Sequence, residues 1–213
     1  MKILVVDDHA VVRQGVKQIL SEHFHCSVIG EAQSAEEMMD KIKKIHWSIV
    51  ILDLGMPGKG GLDALKELKQ SNPKMPVLVL SAYPEDQLAL RTLKAGAAGY
   101  LSKDSAPNEL VQAIRKIVAG GKFVSPSVAE LLALNLEMDL EKPLHEQLSD
   151  REYQVMCLIA VGKSLKEIAD DLCVSISTVN TYRARILEKM QLKNNTELTH
   201  YAIENRLVNR LVS

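Results

Sequence analysis

The sequence predicts a doubly wound α/β domain with a five-stranded parallel sheet, followed by a small all-α domain. Two observations predict the first domain. Five short apolar runs alternate with helical patterns up to about residue 122, and these runs are apolar throughout rather than at every second position. Continuous apolar strands are typical of a parallel sheet that helices cover on both faces. A third observation predicts the second domain, because from residue 149 onward the chain carries helical patterns alone.

Length and composition are those of an ordinary globular protein. The chain has 213 residues, of which 46% are hydrophobic and 25% charged, and this length suits one large domain or two small ones. The net charge of −1 neither favours nor excludes nucleic acid, because a basic patch can be balanced elsewhere. The early acidic residues and the lack of a bilayer-length apolar run predict a cytoplasmic protein that binds no membrane. Metal-ligand spacing is absent around the cysteines, which predicts buried thiols at Cys26, Cys157 and Cys173.

The predicted strands cover residues 3–6, 28–29, 49–52, 77–80 and 99–101. Between them, apolar residues recur at helical spacing, as at Val12, Val16 and Leu20. Five strands that alternate with five helices build a parallel sheet with helices on both faces.

Charged and hydroxyl side chains follow four of the predicted strands. Asp7 and Asp8 follow the first strand, Asp53 the third, Ser81 the fourth and Lys103 the fifth. Ligands of open parallel sheets bind beyond the carboxyl ends of the strands, so these residues are expected on one rim. Clustered carboxylates repel one another, and a hard divalent cation such as Mg²⁺ or Mn²⁺ relieves that repulsion.

Each rim residue also has a simpler explanation. Asp8 could cap the helix that begins near Ala10, Ser81 could form a turn, and Lys103 could be a solvated loop charge. The set as a whole favours phosphoryl transfer, because a carboxylate beside a metal can attack phosphorus and form an acyl phosphate. Asp53 is the predicted nucleophile because the third strand is expected at the centre of the sheet. Lys103 and the cation would neutralise the transferring oxygens.

Residues 123–147 are predicted to be an interdomain linker, because prolines bracket an acidic segment there. The run AELLALNLEMDL has helical spacing and predicts a short helix. The alternative is that this leucine-rich run joins an interface.

Residues 148–213 are predicted to form a helix-turn-helix domain. Ser149 with Glu152 and Ser164 with Glu167 are capping boxes that each begin a helix. A turn at 173–175 then leads into a third helix over about 176–190, the one expected to enter the major groove of DNA. Its outward face carries Asn180, Thr181, Arg183, Ala184, Arg185 and Lys189. The alternative is that the basic residues merely complement the helix dipole.

These motifs resemble two known families. Residues 1–122 resemble the receiver domain of two-component signalling through LVVDDH, ILDLGMPGKGGLD, LSA and GYLSKD, which implies a flavodoxin-like fold. Residues 148–210 resemble the LuxR-type helix-turn-helix through LSDREYQVMCLIAVGKSLKEIADDLCVSISTVNTYRARILEKM and TELTHYAI. Together they resemble a response regulator of the NarL/FixJ type. The resemblance implies a transcription regulator that is not an enzyme beyond gaining and losing its own phosphate.

The receiver resemblance implies a role for each rim residue. Asp53 accepts phosphate from a sensor histidine kinase, and Ser81 hydrogen-bonds the phosphoryl group. Tyr100 stands at the position of the switch aromatic and is expected to swing inward when Ser81 moves; the alternative is a plain strand aromatic. Many receivers have proline after a cis peptide bond where Asp104 stands, so the geometry of that bond is left open. The implied metal ligands are Asp7, Asp8, Asp53 and the main-chain carbonyl of Gly55.

The LuxR-type resemblance implies the contacts to DNA and to a second copy. Base contacts are expected from Asn180, Thr181 and Ala184, where alanine offers only an apolar contact such as one to a thymine methyl group. Phosphate contacts are expected from Arg183, Arg185 and Lys189. The last helix, over about 196–205, is expected to supply a dimer surface, and packing inside the domain is the alternative. The candidate dimer residues are Leu198, Tyr201 and Ala202.

The resulting hypothesis is that phosphorylation of Asp53 controls homodimerisation and binding to double-stranded DNA. Two recognition helices would then meet half-sites about one helical turn apart. One rival is a phosphatase that uses Asp53 as a turnover nucleophile, which is disfavoured because Gly55 stands where a general acid is needed. The other is a binding module whose receiver dimerises without phosphorylation.

Overall fold

The structure is a computed structural model that describes residues 1–25, 28–56, 60–83, 85–137, 143–205 and 207–208. The described residues form one parallel sheet in the order β2-β1-β3-β4-β5, so the third strand is central, as predicted. Three strands extend beyond their predicted carboxyl ends, and Ser81 is consequently the last residue of its strand. The strands are β1 (Lys2–Val6), β2 (Val28–Ala32), β3 (Ile49–Leu52), β4 (Val77–Ser81) and β5 (Gly99–Ser102).

Helices alternate with these strands and cover both faces of the sheet. Successive residues of β1 point to opposite faces, yet residues 3–6 are all no more than 1% exposed. This confirms the prediction drawn from strands that are apolar throughout. The helices are α1 (Ala10–His23), α2 (Ala35–Lys44), α3 (Gly61–Ser71), α4 (Glu85–Lys94) and α5 (Pro107–Val118).

The predicted linker contains regular structure. A helix, α6 (Pro126–Glu137), occupies much of the AELLALNLEMDL run, and a 3₁₀ helix follows at Leu144–Gln147; residues 138–142 lie outside the described part. The amide of Phe123 donates to the carbonyl of Ala98 at 2.8 Å, so this residue still pairs with the edge of the sheet. The chain divides into two compact units, mainly between Ala129 and Glu130. The boundaries at 122 and 147 stay predictions.

The second unit is helical, as predicted. Its helices are α7 (Asp150–Ala160), α8 (Leu165–Asp171), α9 (Ile176–Lys189) and α10 (Asn195–Glu204). Both capping boxes are confirmed, because the side chains of Ser149 and Ser164 accept from the amides of Glu152 and Glu167, whose carboxylates accept in return.

The cysteines agree only in part with the prediction of buried thiols. Cys157 is a buried free thiol in α7, whereas Cys173 is a free thiol exposed in the turn between α8 and α9. Cys173 has φ of 51°, a left-handed conformation that ends α8 and leaves its side chain at the surface. Cys26 lies outside the described residues. Among the helices of the described residues, none is both long and apolar enough to cross a membrane.

Candidate functional site

The carboxyl ends of β1, β3 and β5 bring together three charged side chains that are far apart in sequence. Lys103 Nζ lies 2.7 Å from Asp7 Oδ2 and 3.0 Å from Asp53 Oδ2. The side chains of Asp7 and Asp53 are 4% and 2% exposed, and that of Lys103 is 16% exposed. The structure therefore places these three residues on one rim of the sheet, in a site that is largely closed to water.

Asp53 is a buried carboxyl group. Burial raises its pKa, and the neighbouring Asp7 carboxylate adds to the rise, although Lys103 opposes both. Lys103 approaches as a charge, but no donor among the described residues is aligned for a hydrogen bond to either Asp53 oxygen. Asp53 thus keeps unsatisfied acceptor oxygens in a buried position, which is costly unless a cation or donor joins the site.

Lys103 supplies the positive charge of the site. Burial alone lowers its pKa, but Asp53 and Asp7 outweigh that effect and raise the pKa overall. No cis peptide bond occurs among the described residues, so the bond between Lys103 and Asp104 is trans. From that backbone the Lys103 amide donates to the carbonyl of Ser81 at 2.7 Å, and its side chain still reaches both carboxylates.

Asp8 and His9 extend the acidic cluster. One ligand atom from each of Asp7, Asp8, His9 and Asp53 lies within 4.8 Å of the others. His9 Nδ1 is 2.9 Å from Asp8 Oδ1 and 3.2 Å from Asp7 Oδ1. The N-cap residue of α1 is His9, so the alternative that Asp8 caps this helix is wrong. Sequence reasoning missed His9, and the only signal was its place directly after the two acids.

The rim suits a hard divalent cation. Carboxylate oxygens are the ligands that Mg²⁺ prefers in proteins, and Asp53 offers buried oxygens that lack a hydrogen-bond partner within the described chain. The main chain of Gly55 passes close by, because a Cβ at that position would lie 3.3 Å from Asp53 Oδ2. The acidic cluster of Asp7, Asp8 and Asp53 therefore fits the predicted ion, and the Gly55 carbonyl stays a predicted ligand.

Gly61 allows α3 to begin directly beside the end of β3. A Cβ at Gly61 would lie 2.2 Å from the carbonyl oxygen of Asp53 and 2.5 Å from Leu54 Cα. Contacts this short with backbone atoms are not possible, so only glycine permits this approach. No role for Gly61 was predicted from the sequence.

Ser81 and Tyr100 are joined through the main chain of Tyr83. Ser81 Oγ accepts from the amide of Tyr83 at 3.3 Å, and the Tyr100 hydroxyl donates to the carbonyl of Tyr83 at 2.7 Å. The first bond is a serine turn, so the simpler explanation for Ser81 holds alongside its place on the rim. Tyr100 is fully buried. The Tyr100 ring is therefore already in the inward position in this conformation, so the expected inward swing is not seen.

The helix α9 exposes residues in pairs that recur every four positions. Residues 176–177, 180–181, 184–185 and 188–189 are exposed, whereas Val179, Ile186 and Met190 are buried. Tyr182 and Arg183 are half-buried, so Arg183 lies on the predicted outward face only in part. Asn180, Thr181, Ala184 and Arg185 lie on the outward face where the sequence predicted them.

Two of the three side chains predicted to contact phosphates form hydrogen bonds to other side chains of the same domain. Arg183 Nε donates to Asn195 Oδ1 at 2.6 Å, and Lys189 Nζ donates to Glu152 Oε2 at 2.6 Å. Glu152 is 3% exposed. Burial raises its pKa, but hydrogen bonds from Lys189 and Ser149 outweigh this and lower the pKa overall. Lys189 therefore stabilises the fold, whatever it contributes to DNA binding.

The candidate dimer residues of α10 require a correction. Leu198 and Ala202 are 0% exposed, because this helix packs against α7. Tyr201 is half-buried, and its hydroxyl lies 3.1 Å from His145 Nδ1. The alternative, packing inside the domain, is correct for Leu198 and Ala202, which no second chain can reach in this fold.

The chain matches two family models and several known proteins. Residues 3–115 match the response regulator receiver domain, and residues 146–202 match the bacterial regulatory proteins of the LuxR family. Response regulator GacA of Pseudomonas protegens is 39% identical over 208 residues, which cover 98% of each chain. Response regulator UvrY of Escherichia coli K12 is 36% identical over 210 residues, which cover 98% of this chain and 96% of UvrY.

Solved structures of RcsB are similar over nearly the whole chain. A structure of two RcsB dimers bound to two parallel DNAs is 27% identical with a TM-score of 0.59, covering 94% of this chain and 96% of that chain. RcsB of Salmonella enterica serovar Typhimurium, bound to a promoter in the presence of the phosphomimetic BeF₃⁻, is 26% identical with a TM-score of 0.60. That match covers 98% of this chain and 99% of RcsB. The chain therefore belongs to the NarL/FixJ family of two-component response regulators, with a receiver domain followed by a LuxR-type DNA-binding domain.

Proposed function

We propose that Asp53 is the phosphoacceptor, and that its phosphorylation by a sensor histidine kinase controls homodimerisation and sequence-specific DNA binding in the cytoplasm. The observation that carries this proposal is the rim geometry. Two buried carboxylates, Asp7 and Asp53, share one cation, Lys103, at the carboxyl ends of parallel strands. Two buried carboxylates so close together repel each other and do not stabilise the fold. A positively charged ligand that binds them is therefore the better explanation of their placement.

The site residues divide the chemistry of phosphoryl transfer among them. An Asp53 carboxylate oxygen forms a bond to phosphorus, while the bond from phosphorus to the donor histidine nitrogen breaks and its electron pair leaves with the imidazole. Lys103 neutralises charge on the phosphoryl oxygens. Asp7, Asp8, Asp53 and the Gly55 carbonyl would hold Mg²⁺ or Mn²⁺, which supplies further positive charge there. The receiver would take and lose its own phosphate without acting on other substrates.

Ser81 and Tyr100 are proposed to transmit the phosphorylated state. The Ser81 oxygen accepts a hydrogen bond from Tyr83 and can donate its own proton to the phosphoryl group at the same time. The Tyr83 carbonyl holds the Tyr100 hydroxyl, so a shift of Ser81 would move the main chain to which Tyr100 is bound. This is a population shift between two arrangements rather than a new contact to DNA.

The DNA contacts are proposed for α9. Asn180, Thr181 and Ala184 would face base edges. Arg183, Arg185 and Lys189 would face phosphates, and of these Arg185 is exposed. The RcsB dimers seen on DNA support a dimer as the active form. The dimer interface of this chain must be formed by exposed residues, since Leu198 and Ala202 are buried.

The test treats the full-length protein with acetyl phosphate and Mg²⁺ and measures the phosphorylated fraction by intact mass. Asp53→Asn should take up no phosphate, whereas Asp63→Asn, which changes an exposed acid of α3, should behave like the wild type. The same three proteins then select DNA from a random pool at one stated salt concentration. A two-fold symmetric motif is expected from the wild type and Asp63→Asn after phosphorylation. Equal enrichment by Asp53→Asn would show that DNA binding does not depend on Asp53, and absence of phosphate on the wild type would support the unphosphorylated dimerisation module.

A further inference from the structure

The first residue of α9 is a large apolar side chain that the fold leaves exposed. Ile176 is 47% exposed, although the residues that fill the interior of its unit, such as Val179 and Ile186, are 0% exposed. The N-cap of the helix is Ser175, whose side chain accepts from the amide of Thr178, so Ile176 is not needed to begin the helix. Neither packing nor capping therefore accounts for an isoleucine at this position.

The exposed positions of α9 form two neighbouring rows with a spacing of four residues. One row contains Ile176, Asn180 and Ala184, and the other begins with Ser177 and Thr181. Side chains four residues apart on a helix lie one above the other on the same face. The first row thus presents an amide between two hydrocarbon groups.

Thr181 adds to the hydrocarbon character of this face. Its hydroxyl donates to the carbonyl of Ser177 at 3.0 Å, so its proton is used within the helix and its methyl group remains for other contacts. The hydroxyls of Ser175 and Thr178 are likewise engaged with each other at 2.8 Å. The exposed face of α9 therefore offers three hydrocarbon groups, from Ile176, Thr181 and Ala184, around the amide of Asn180.

We infer that Ile176 is a specificity-determining residue that reads a thymine methyl group in the major groove, beside an adenine read by Asn180. This inference rests on the proposed binding of α9 to DNA. The thymine methyl is the hydrocarbon group that a base pair displays in the major groove, and an asparagine amide pairs with adenine through two hydrogen bonds. The N-terminal residues of a recognition helix are the ones that reach base edges. The half-site is therefore rich in A·T pairs opposite the first two turns of α9.

The test removes single methyl groups from the DNA. Full-length phosphorylated protein first selects its motif, and the Kd is then measured for that DNA and for copies in which one thymine at a time is replaced by deoxyuridine. Each contacted methyl group should contribute about fourfold in affinity. In Ile176→Ala this sensitivity should vanish at one thymine and persist at the others, and Ile176→Val should retain it. Val118→Ala, which shortens another exposed apolar side chain, should match the wild type at every thymine.

The inference would be overturned by wild-type affinity that does not change with deoxyuridine at any thymine, or by an Ile176→Ala protein that keeps the full wild-type sensitivity. A selected motif without thymine opposite α9 would do so as well. If the wild type selects no motif at all, the proposed DNA recognition itself fails, and that outcome is visible before any deoxyuridine is introduced.

Discussion

The rim of the receiver sheet and the exposed face of α9 are built in opposite ways. Asp7, Asp53 and Lys103 come from three strands, and their side chains are at most 16% exposed. The α9 face comes from one helix, and its outward residues are exposed. The rim exists only when the whole sheet is packed, whereas the α9 face needs only a capped helix on a small core. Substitutions at the rim should therefore change stability and chemistry together. Substitutions of exposed α9 residues that have no partner role in the fold, unlike Lys189, should change binding alone.

The largest effect is expected at Gly61. Gly61→Ala places a methyl group against the backbone of Asp53 and Leu54, so α3 must move away from the rim. We expect a loss of about 3 kcal/mol in the free energy of unfolding. Urea unfolding followed by the fluorescence of Trp47 measures this, because that side chain is 2% exposed within the receiver and is the only tryptophan of the sequence.

Gly15→Ala is the matched control for Gly61. Gly15 lies inside α1, and a Cβ there meets nothing within 4 Å. This substitution should stabilise the receiver by about 0.5–1 kcal/mol, because glycine is a poor helix residue. Similar losses at both glycines would show that the close approach of α3 to the rim is not what Gly61 permits.

The second effect concerns the charge balance of the rim. Lys103→Met leaves Asp7 and Asp53 buried without their cation, and we expect a loss of about 3 kcal/mol in unfolding free energy without divalent ions. The pKa of Asp53 is already raised above its ordinary value. The variant should therefore regain stability as the pH falls from neutral toward that raised pKa, because the carboxyl group then takes up a proton.

A double substitution isolates that charge effect. Lys103→Met with Asp53→Asn removes one carboxylate together with the lysine and should recover much of the stability at neutral pH. If the double variant is as unstable as Lys103→Met alone, the loss comes from packing of the lysine side chain rather than from unpaired charge.

The contrast between a site built from several strands and a face built from one helix also explains what the sequence could predict. The rim residues were predictable because each follows an apolar run, and parallel strands end at a common edge. Both capping boxes were predictable because their residues lie three positions apart on one helix. The roles of His9 and Gly61 were not, since each depends on a distance between elements that the order of residues does not specify.

The errors in the second unit have the same origin. Leu198 and Ala202 have helical spacing whether α10 faces a partner or its own domain, and packing against α7 decides the matter. The contact of Lys189 with Glu152 at 2.6 Å was not predicted, because Glu152 is far away in sequence; the phosphate contact of Lys189 stays a prediction. The turn between α8 and α9 was predicted, but the left-handed conformation that exposes Cys173 was not.

A smaller effect is expected at Glu152, a buried charge at the start of α7 that Lys189 of α9 contacts. Its folded-state pKa is lowered, so its stabilising contribution is present above the unfolded pKa near 4.5 and is lost as the pH falls through the folded pKa. Glu152→Gln keeps an acceptor for the capping box but removes the charge that Lys189 contacts. We expect a loss of about 1 kcal/mol at neutral pH and a weaker fall in stability on the acid side. The unfolding of the helical unit can be followed by circular dichroism.

Glu167→Gln is the matched control, because Glu167 forms the same capping box on α8 at an exposed position. Hydrogen bonds from Ser164 lower the pKa of Glu167 as well, so this substitution should also weaken the fall in stability on the acid side. The effect should be smaller than for Glu152→Gln, because Glu167 is exposed and solvent screens its charge. Equal acid shifts for both substitutions would contradict the importance of the Glu152–Lys189 contact.

The smallest effect on stability, and a clear effect on binding, is expected at Arg185. This side chain is exposed on the outward face of α9, so Arg185→Gln should change the free energy of unfolding by less than about 0.5 kcal/mol. If Arg185 neutralises one phosphate, the slope of log affinity against log salt should become shallower by about 0.9. Lys43→Gln removes an equal charge from an exposed position on α2 and should leave the slope unchanged. Equal slopes for all three proteins would mean that α9 meets DNA through another edge, and the exposed row that begins with Ile176 would then have to be rotated away from the groove as well.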